Sequence, residues 1–160
     1  LELPAQRAYW AVHGRGAHVR GPDGDERTLR VNNATELRRA ILSTGFPYHR
    51  AEQEDNNSAE YVHFLCRAQG VRCMGSAAME LAFVASGALG GYWEAWLHPW
   101  DVAPGALLVR EAGGRVTTYD GREWRLLDAT VIASNGRPDL HDALLEGVHV
   151  ARGQLSRPLF

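Results

Sequence analysis

Residues 97–114 have the sequence LHPWDVAPGALLVREAGG, which predicts one helix with a distinct beginning and end. Asp101 is expected as the N-cap, because an aspartate side chain there accepts an unpaired backbone N–H of the first turn. Pro104 then falls in the first turn, where backbone N–H groups have no partner inside the helix. Gly113 and Gly114 supply the left-handed stop. The segment therefore places one carboxylate at the start of a helix.

Strands and helices alternate on both sides of this segment. The predicted strands are short apolar runs bounded by glycine or polar turns, at residues 40–44, 71–74, 89–96, 116–119 and 129–133. The predicted helices are a short one over residues 36–39 capped by Thr35, one from Ser58 to Gly70, one capped by Ser76 that stops at Gly87, and a last one from Pro138 with Leu140, Leu144 and Leu145 as its buried stripe. This alternation predicts an α/β fold, a layered α-β sandwich.

The first 31 residues have a different character. Residues 7–31 alternate apolar and polar side chains around glycine clusters, with strand candidates at residues 8–12 and 28–31. The segment Gly21–Asp25 between them is dense in turn-forming residues. The pattern predicts an antiparallel strand pair around a polar loop. The acidic run at residues 52–55 is expected to be a solvated surface.

Composition excludes several classes of protein. The chain has 160 residues, a formal net charge of −2 and no basic stripe, so nucleic acid is not expected as a partner. No apolar run approaches the roughly 20 residues that span a bilayer, and no membrane role is expected. The two cysteines, Cys66 and Cys73, lack metal-ligand spacing and are expected to be reduced, which favours a cytoplasmic setting.

Four segments, in the same order along the chain, resemble the inositol monophosphatase family of magnesium-dependent sugar and polyol phosphatases. Residues 100–114 are similar to the family's C-terminal signature, Trp-Asp-x-Ala-x-Gly-x-Leu-Leu-Val-x-Glu-Ala-Gly-Gly, although Pro104 stands where many relatives have Ala. Residues 44–48 (TGFPY), 72–80 (RCMGSAAME) and 91–94 (GYWE) resemble three further family motifs. The resemblance implies the C-terminal half of the inositol monophosphatase and fructose-bisphosphatase-like fold.

The resemblance also implies roles for individual residues. Asp101 matches a catalytic aspartate that ligates magnesium and contacts substrate hydroxyls, and Glu94 matches an acid that binds inositol or sugar hydroxyls. Gly75, Ser76 and Ala77 match a turn that lines the polyol pocket. These residue types suit the chemistry, because Mg²⁺ prefers oxygen ligands and a helix N-terminus presents free backbone N–H groups. Without the resemblance, Asp101 and Ser76 are ordinary helix caps and Glu94 is an exposed strand acid.

Two motifs of the family, Gly-Glu-Glu and Asp-Pro-x-Asp-Gly-Thr, do not occur in this chain. They supply most metal ligands in the family, and a single carboxylate cannot hold a two-metal site. We therefore expect the remaining magnesium ligands in an upstream part of a longer protein, and no activity from residues 1–160 alone. The expected division is remnant strands of an N-terminal sheet domain at 1–35, an α/β/α sandwich at 36–151 and an irregular tail at 152–160.

The expected function of the full-length protein is hydrolysis of inositol monophosphate, or a similar small polyol or sugar phosphate, by a metal-activated water. A related phosphatase for fructose bisphosphate, histidinol phosphate or a nucleotide phosphate is the alternative within the class. A non-catalytic binding or regulatory protein is the alternative outside it, since some bacterial members of the family are associated with RNA processing and transcription machinery. The resemblance also implies a homodimer.

Overall fold

Two β-sheets and four α-helices make up the part of the chain that the structure, a computed structural model, describes: residue 2 and residues 5–153. The strands are β1 (Ala8–Ala11), β2 (Ala17–Arg20), β3 (Glu26–Thr28), β4 (Ile41–Thr44), β5 (Gly70–Arg72), β6 (Gly91–Ala95), β7 (Arg115–Thr117) and β8 (Thr130–Ser134). The helices are α1 (Ser58–Leu65), α2 (Ala77–Ala85), α3 (Pro99–Glu111) and α4 (Pro138–Arg152).

The larger sheet has five strands in the order β5-β4-β6-β8-β7. Strand β4 is parallel to both β5 and β6, whereas β8 is antiparallel to β6 and β7. Because β4, β5 and β6 are parallel neighbours, their carboxyl ends lie at one edge of the sheet. The segments that leave these three strands therefore meet at that edge.

Helices cover both faces of this sheet. On one face α2 and α3 pack in a core that contains Tyr92, and on the other Phe64 of α1 and Leu144 of α4 pack in a core that contains Trp93. Successive residues of a strand point to opposite faces, so β6 contributes to both cores. The structure confirms the α/β layered architecture.

The smaller sheet is antiparallel, in the order β1-β2-β3. Its inward residues Ala17 and Val19 belong to the same core as α2 and α3. The sequence prediction of a simple strand pair was wrong, because β2 lies between the two outer strands and the last strand ends at Thr28. The chain reverses at Gly21, whose N–H donates to the carbonyl of Asp25 at 3.1 Å, and this early turn lets Glu26 pair with Arg20.

Helix α3 begins earlier than its sequence suggested. Pro99 is the first helical residue and His98 the N-cap, so Asp101 is the third helical residue and not the cap. Proline at the first position is pre-organised for a helix, which explains the earlier start. Pro104 consequently lies inside the helix rather than in its first turn. The end is as predicted: Gly113 adopts a φ of 90°, and the N–H of Gly114 donates to the carbonyl of Val109 at 2.8 Å in a Schellman motif.

Two other terminal details differ from the sequence prediction. The short helix is a 3₁₀ turn (Leu37–Arg39) without a side-chain cap, so Thr35 does not cap it. Helix α4 has Leu140 and Leu144 fully buried, as predicted, but it extends to Arg152, which the sequence assigned to an irregular tail. Residues 154–160 of that tail lie outside the described residues.

Arg152 explains why Asp55, in the acidic run at residues 52–55, is not fully exposed to solvent. Its guanidinium binds Glu60 at 2.9 Å and also binds Asp55, and it lies over the Tyr119 ring at 5.1 Å. Asp55 is therefore half-buried in an ion pair, whereas the other residues of the run are exposed as predicted. An ion pair between residues 97 positions apart has no local sequence signal.

Cys66 and Cys73 are free and exposed. Within residue 2 and residues 5–153, the structure has no helix of the length and apolarity that crossing a membrane requires. The domain boundary expected near residue 35 stays a prediction, since the smaller sheet shares its core with α2 and α3.

Buried His141 generates a prediction about stability. Its ring nitrogens lie 3.0 Å from Thr117 Oγ1 and 2.8 Å from Ser134 Oγ, and burial, with the charge of Arg115, lowers its pKa from 6.5 to about 4. As the pH falls, His141 takes up a proton in the unfolded chain near pH 6.5 but in the folded protein only near pH 4. The contribution of neutral His141 to stability is therefore complete above pH 6.5 and is lost as the pH falls toward 4. We expect the free energy of unfolding, measured with urea, to fall less between pH 7 and pH 5 in His141→Gln than in the wild-type protein. His49→Gln, at an exposed position, is the matched control and should follow wild type.

Candidate functional site

The candidate site lies where β4, β5 and β6 end. Three segments leave this edge: residues 45–57 after β4, residues 73–76 between β5 and α2, and residues 96–98 between β6 and α3. Crevices at the carboxyl ends of parallel strands are the usual ligand sites of α/β sheets. Of the five residues singled out by the sequence, Gly75 and Ser76 lie on the second segment and Ala77 directly follows it. Asp101 lies in the first turn of α3, and Glu94 lies near the end of β6.

Glu94 is buried, with 7% of its surface exposed, and is not the exposed strand acid that its sequence position alone suggests. Its carboxylate accepts a hydrogen bond from the hydroxyl group of Tyr92. A Cβ on Gly45 would overlap both carboxylate oxygens of Glu94, so only glycine leaves room for this acid. Burial raises the pKa of Glu94 and the negative charge of Asp101 raises it further, while the Tyr92 hydrogen bond opposes the shift.

Asp101 is half-exposed in the first turn of α3. Its Oδ2 accepts the backbone N–H of His98 at 3.1 Å, which is the third-residue half of a capping box. The carboxylate therefore stabilises the helix start from inside the first turn. Its negative charge is one of the causes of the raised pKa of Glu94, after burial.

The turn before α2 presents Gly75 and Ser76 to solvent, with Ala77 half-buried as the first helical residue. Gly75 has a φ of 79°, a backbone conformation that residues other than glycine rarely adopt. Ser76 is the N-cap by position, but its side chain makes no capping hydrogen bond. The backbone N–H groups at this helix start are accordingly not satisfied by a Ser76 cap.

Glu80 holds this turn, and sequence reasoning missed its importance. It is fully buried on α2, and its Oε1 accepts the N–H of Met74 at 2.6 Å. The available signal was an acid one position too late for a capping box, on a helix with an apolar surface. Burial, followed by the charges of Glu80 and Glu94, raises the pKa of the Cys73 thiol in this turn.

A hydrogen-bonded chain supports the site from behind. The Tyr119 hydroxyl donates a hydrogen bond to Asn57 Oδ1 at 3.1 Å, and Asn57 Nδ2 donates one to the carbonyl of Gly45 at 3.0 Å. Asn57 is buried and has a φ of 66°, a conformation that asparagine tolerates better than most residues. Gly45 is thus fixed against the Glu94 carboxylate.

Exposed aromatic side chains flank the edge. Trp96, with a φ of 66° and 52% of its surface exposed, donates its indole N–H to the carbonyl of Asp55 at 2.9 Å. Trp100 stacks on His98 with ring centroids 4.6 Å apart. In the part of the chain that the structure describes, no three His, Cys, Asp or Glu side chains form a group that could hold a metal ion.

The arrangement suits recognition of hydroxyl groups. Carboxylates accept hydrogen bonds from hydroxyls, and exposed backbone N–H groups at the start of a helix donate to hydroxyl or phosphate oxygens. The described residues bring Glu94, Asp101 and the start of α2 to one edge of one sheet. Among the described residues, no group of three potential metal ligands accompanies them.

Comparison with known proteins identifies this α/β architecture. Residues 2–152 match the model of the inositol monophosphatase family. The chain belongs to that family. An inositol monophosphatase structure from Anabaena superposes with a TM-score of 0.75 and 37% sequence identity, over 91% of this chain and 59% of that one. The fold class expected from the sequence is thereby confirmed.

Two relatives show the range of names within the family. An inositol-1-monophosphatase of Synechocystis is 40% identical over 84% of this chain and 46% of its own length. A protein of Pseudomonas aeruginosa named Nus factor SuhB is 37% identical over 84% of this chain and 49% of its own length. The chain thus spans about half the length of these relatives.

The capping geometry of Asp101 predicts two different stability losses. Asp101→Asn keeps a side-chain oxygen for the N–H of His98 and should lose less than about 1 kcal/mol of unfolding free energy, mainly the favourable charge at the helix start. Asp101→Ala loses the acceptor as well and should cost about 1 kcal/mol or more. Denaturant unfolding checks the order, and equal losses for both variants would contradict the capping role.

The packing of Gly45 predicts an effect on Glu94. Gly45→Ala should force the Glu94 carboxylate away from Tyr92, at a cost of roughly 1–3 kcal/mol typical of overpacked sites. Gly21→Ala is the matched control, because a Cβ there meets nothing within 4 Å. Unfolding free energies and a ¹³C NMR titration of the Glu94 carboxyl measure the change. An unaltered titration in Gly45→Ala would show that the two groups are not in contact.

Proposed function

We propose that the full-length protein is a phosphatase that hydrolyses inositol monophosphate or a similar small polyol or sugar phosphate. The observation that carries the proposal is the convergence of Glu94, Asp101 and the start of α2 at one sheet edge, in a chain that belongs to the inositol monophosphatase family. The names of the Synechocystis and Anabaena proteins support the substrate class.

Each residue has a role that its environment favours. Glu94 accepts hydrogen bonds from substrate hydroxyls, and its contacts with Gly45 and Tyr92 fix its direction. The turn at Gly75, Ser76 and Ala77 supplies backbone N–H groups to the same ligand. Asp101, half-exposed at the start of α3, contacts a substrate hydroxyl and contributes an oxygen ligand for magnesium.

The described residues do not by themselves fit a magnesium site. They contain no group of three potential ligands, and one oxygen of Asp101 already accepts the N–H of His98. A magnesium ion would therefore need most of its ligands from outside the described residues. The contribution proposed for this part of the protein is to bind and orient the polyol, with Asp101 at the boundary between polyol and metal.

The pKa of Glu94 affects how the site works with pH. Burial raises this pKa, and only the ionised carboxylate can accept hydrogen bonds with both oxygens. Tyr92 stabilises the ionised form by donating to it. Hydroxyl binding should therefore weaken as the pH falls and Glu94 takes up a proton.

Activity measurements on the full-length protein test the proposal. We expect release of inorganic phosphate from inositol 1-phosphate that depends on magnesium and falls at least about tenfold in Asp101→Asn, since the amide lacks the charge that a hard cation prefers. An unfolding curve checks that the variant still folds like the wild-type protein. Asp139→Asn, on the exposed start of α4, is the matched control. Full activity in Asp101→Asn would remove Asp101 from the site.

The substrate within the class is decided by the same assay with other esters. Fructose bisphosphate, histidinol phosphate and a nucleoside monophosphate are the alternatives, and the preferred substrate is the one with the highest kcat/KM. Residues 1–160 alone should release no phosphate above background, because the residues that the structure describes contain no group of three potential metal ligands. Formation of a homodimer by the full-length protein is a further proposal, which sedimentation equilibrium would test.

The names of some relatives favour a second candidate, a binding role without catalysis. The Pseudomonas aeruginosa and Pasteurella multocida relatives are named Nus factor SuhB and are 37% and 35% identical to this chain. A full-length protein that binds no polyol phosphate and releases no phosphate, with or without magnesium, would favour this role over the phosphatase.

A further inference from the structure

Glu80 is a buried acid to which the proposed function gives no role. It lies on α2, one helical turn after the polyol-binding turn, and none of its surface is exposed. Its Oε1 spans six residues back along the chain to accept the N–H of Met74. This hydrogen bond ties Met74, which precedes Gly75 in the segment between β5 and α2, to helix α2.

The other oxygen of Glu80 has no hydrogen-bond partner. Oε2 is buried, and no donor of the described residues reaches it. A buried acid with one unpartnered oxygen is more stable neutral than ionised, since an ionised carboxylate needs donors or a cation to replace water. Among the described residues, no hydrogen-bond donor is within reach of Glu80 Oε2.

The groups that face Glu80 are themselves acids or neutral. Glu94 and Tyr92 lie on β6, and Cys73 lies in the turn itself. From α3, Gly105 packs against Leu81, the residue that follows Glu80 on α2. Burial and then the charge of Glu94 raise the pKa of Glu80 to about 7, although the Met74 hydrogen bond opposes the shift.

We propose that Glu80 is a positioning residue of the polyol site, whose neutral form holds the Met74–Ala77 turn beside Glu94 without adding a second buried negative charge. The inference rests on the proposed function, because it assigns the turn to the substrate. Ionisation of Glu80 leaves the Met74 bond in place but places a charge near an anionic ligand. The protein therefore binds a phosphorylated polyol less tightly as Glu80 ionises.

Three variants separate the hydrogen bond from the charge. Glu80→Gln keeps an oxygen for the N–H of Met74 and cannot ionise, whereas Glu80→Ala loses both functions. Glu146→Gln removes an exposed acid from α4 and is the matched control. The probe is inositol 1-phosphate with the full-length protein in the absence of magnesium, so that the ligand is not hydrolysed during the measurement, and its Kd is measured by calorimetry at pH 6 and pH 8.

We expect the wild-type Kd, divided by that of Glu80→Gln, to be near one at pH 6 and to rise several-fold at pH 8. The ratio cancels the titration of the ligand's own phosphate, which is the same for both proteins. Glu80→Ala should bind more weakly than Glu80→Gln at both pH values, and Glu146→Gln should follow wild type. A ratio that stays constant between the two pH values, or equal binding by the Ala and Gln variants, would overturn the proposal.

Hydrogen exchange of the Met74 amide distinguishes this outcome from a failure of the proposed function. The amide should be protected in wild type and Glu80→Gln and should exchange faster in Glu80→Ala, with no ligand needed. If the exchange follows this order and wild type binds no polyol phosphate, the proposed function fails and the role of Glu80 at a polyol site fails with it. If wild type binds the ligand and the exchange does not follow this order, only the role of Glu80 fails.

Discussion

The double burial of β6 is the constraint on which the structure depends. The strand is hydrogen-bonded on both sides, to β4 and β8, and both of its faces are covered by helices. Tyr92 and Trp93 fill the two cores with none of their surface exposed. A strand held in this way cannot shift its register without moving every side chain to the wrong face. Glu94 is therefore fixed in position before any ligand arrives.

Placing a carboxylate at the end of such a strand has a free-energy cost that neighbouring groups reduce. Tyr92 donates a hydrogen bond to Glu94, and Gly45 leaves the space that its carboxylate occupies. Asn57 and Tyr119 hold Gly45 in place through the hydrogen bonds behind it. Several groups on β4, β6 and the segments around them therefore help to hold one acid in place. Such a concentration of polar groups is more typical of a functional site than of a core.

The parallel arrangement of β4, β5 and β6 brings the remaining groups to the same edge. Each strand is followed by a segment that turns toward a helix, so the helix starts of α2 and α3 lie near Glu94. The same geometry gathers the acids Glu80, Glu94 and Asp101, and the pKa of Glu80 and that of Glu94 rise for the shared reason of burial followed by a neighbouring negative charge. Stability alone would favour fewer acids here, whereas the proposed recognition of hydroxyl groups would need them.

The sequence by itself determined the features that depend on a few adjacent residues. The stop of α3 at Gly113, the apolar stripe of α4, most of the strands and the α/β alternation follow from local hydrogen bonds and periodicity, and the structure confirms them. The family motifs also pointed to the correct family. Even locally, two competing signals gave an error, because Pro99 rather than Asp101 decides where α3 begins.

Only the tertiary structure decided the features that depend on what packs over a residue. The burial of Glu94 and Glu80, the space at Gly45 and the ion pair between Asp55 and Arg152 join parts of the chain that lie far apart in sequence. The central strand β2 escaped prediction because its pairing depends on strands on both sides of it. An acid has the same sequence signal whether it is solvated or buried, and its pKa is set by the neighbours and the water that folding gives it or removes from it.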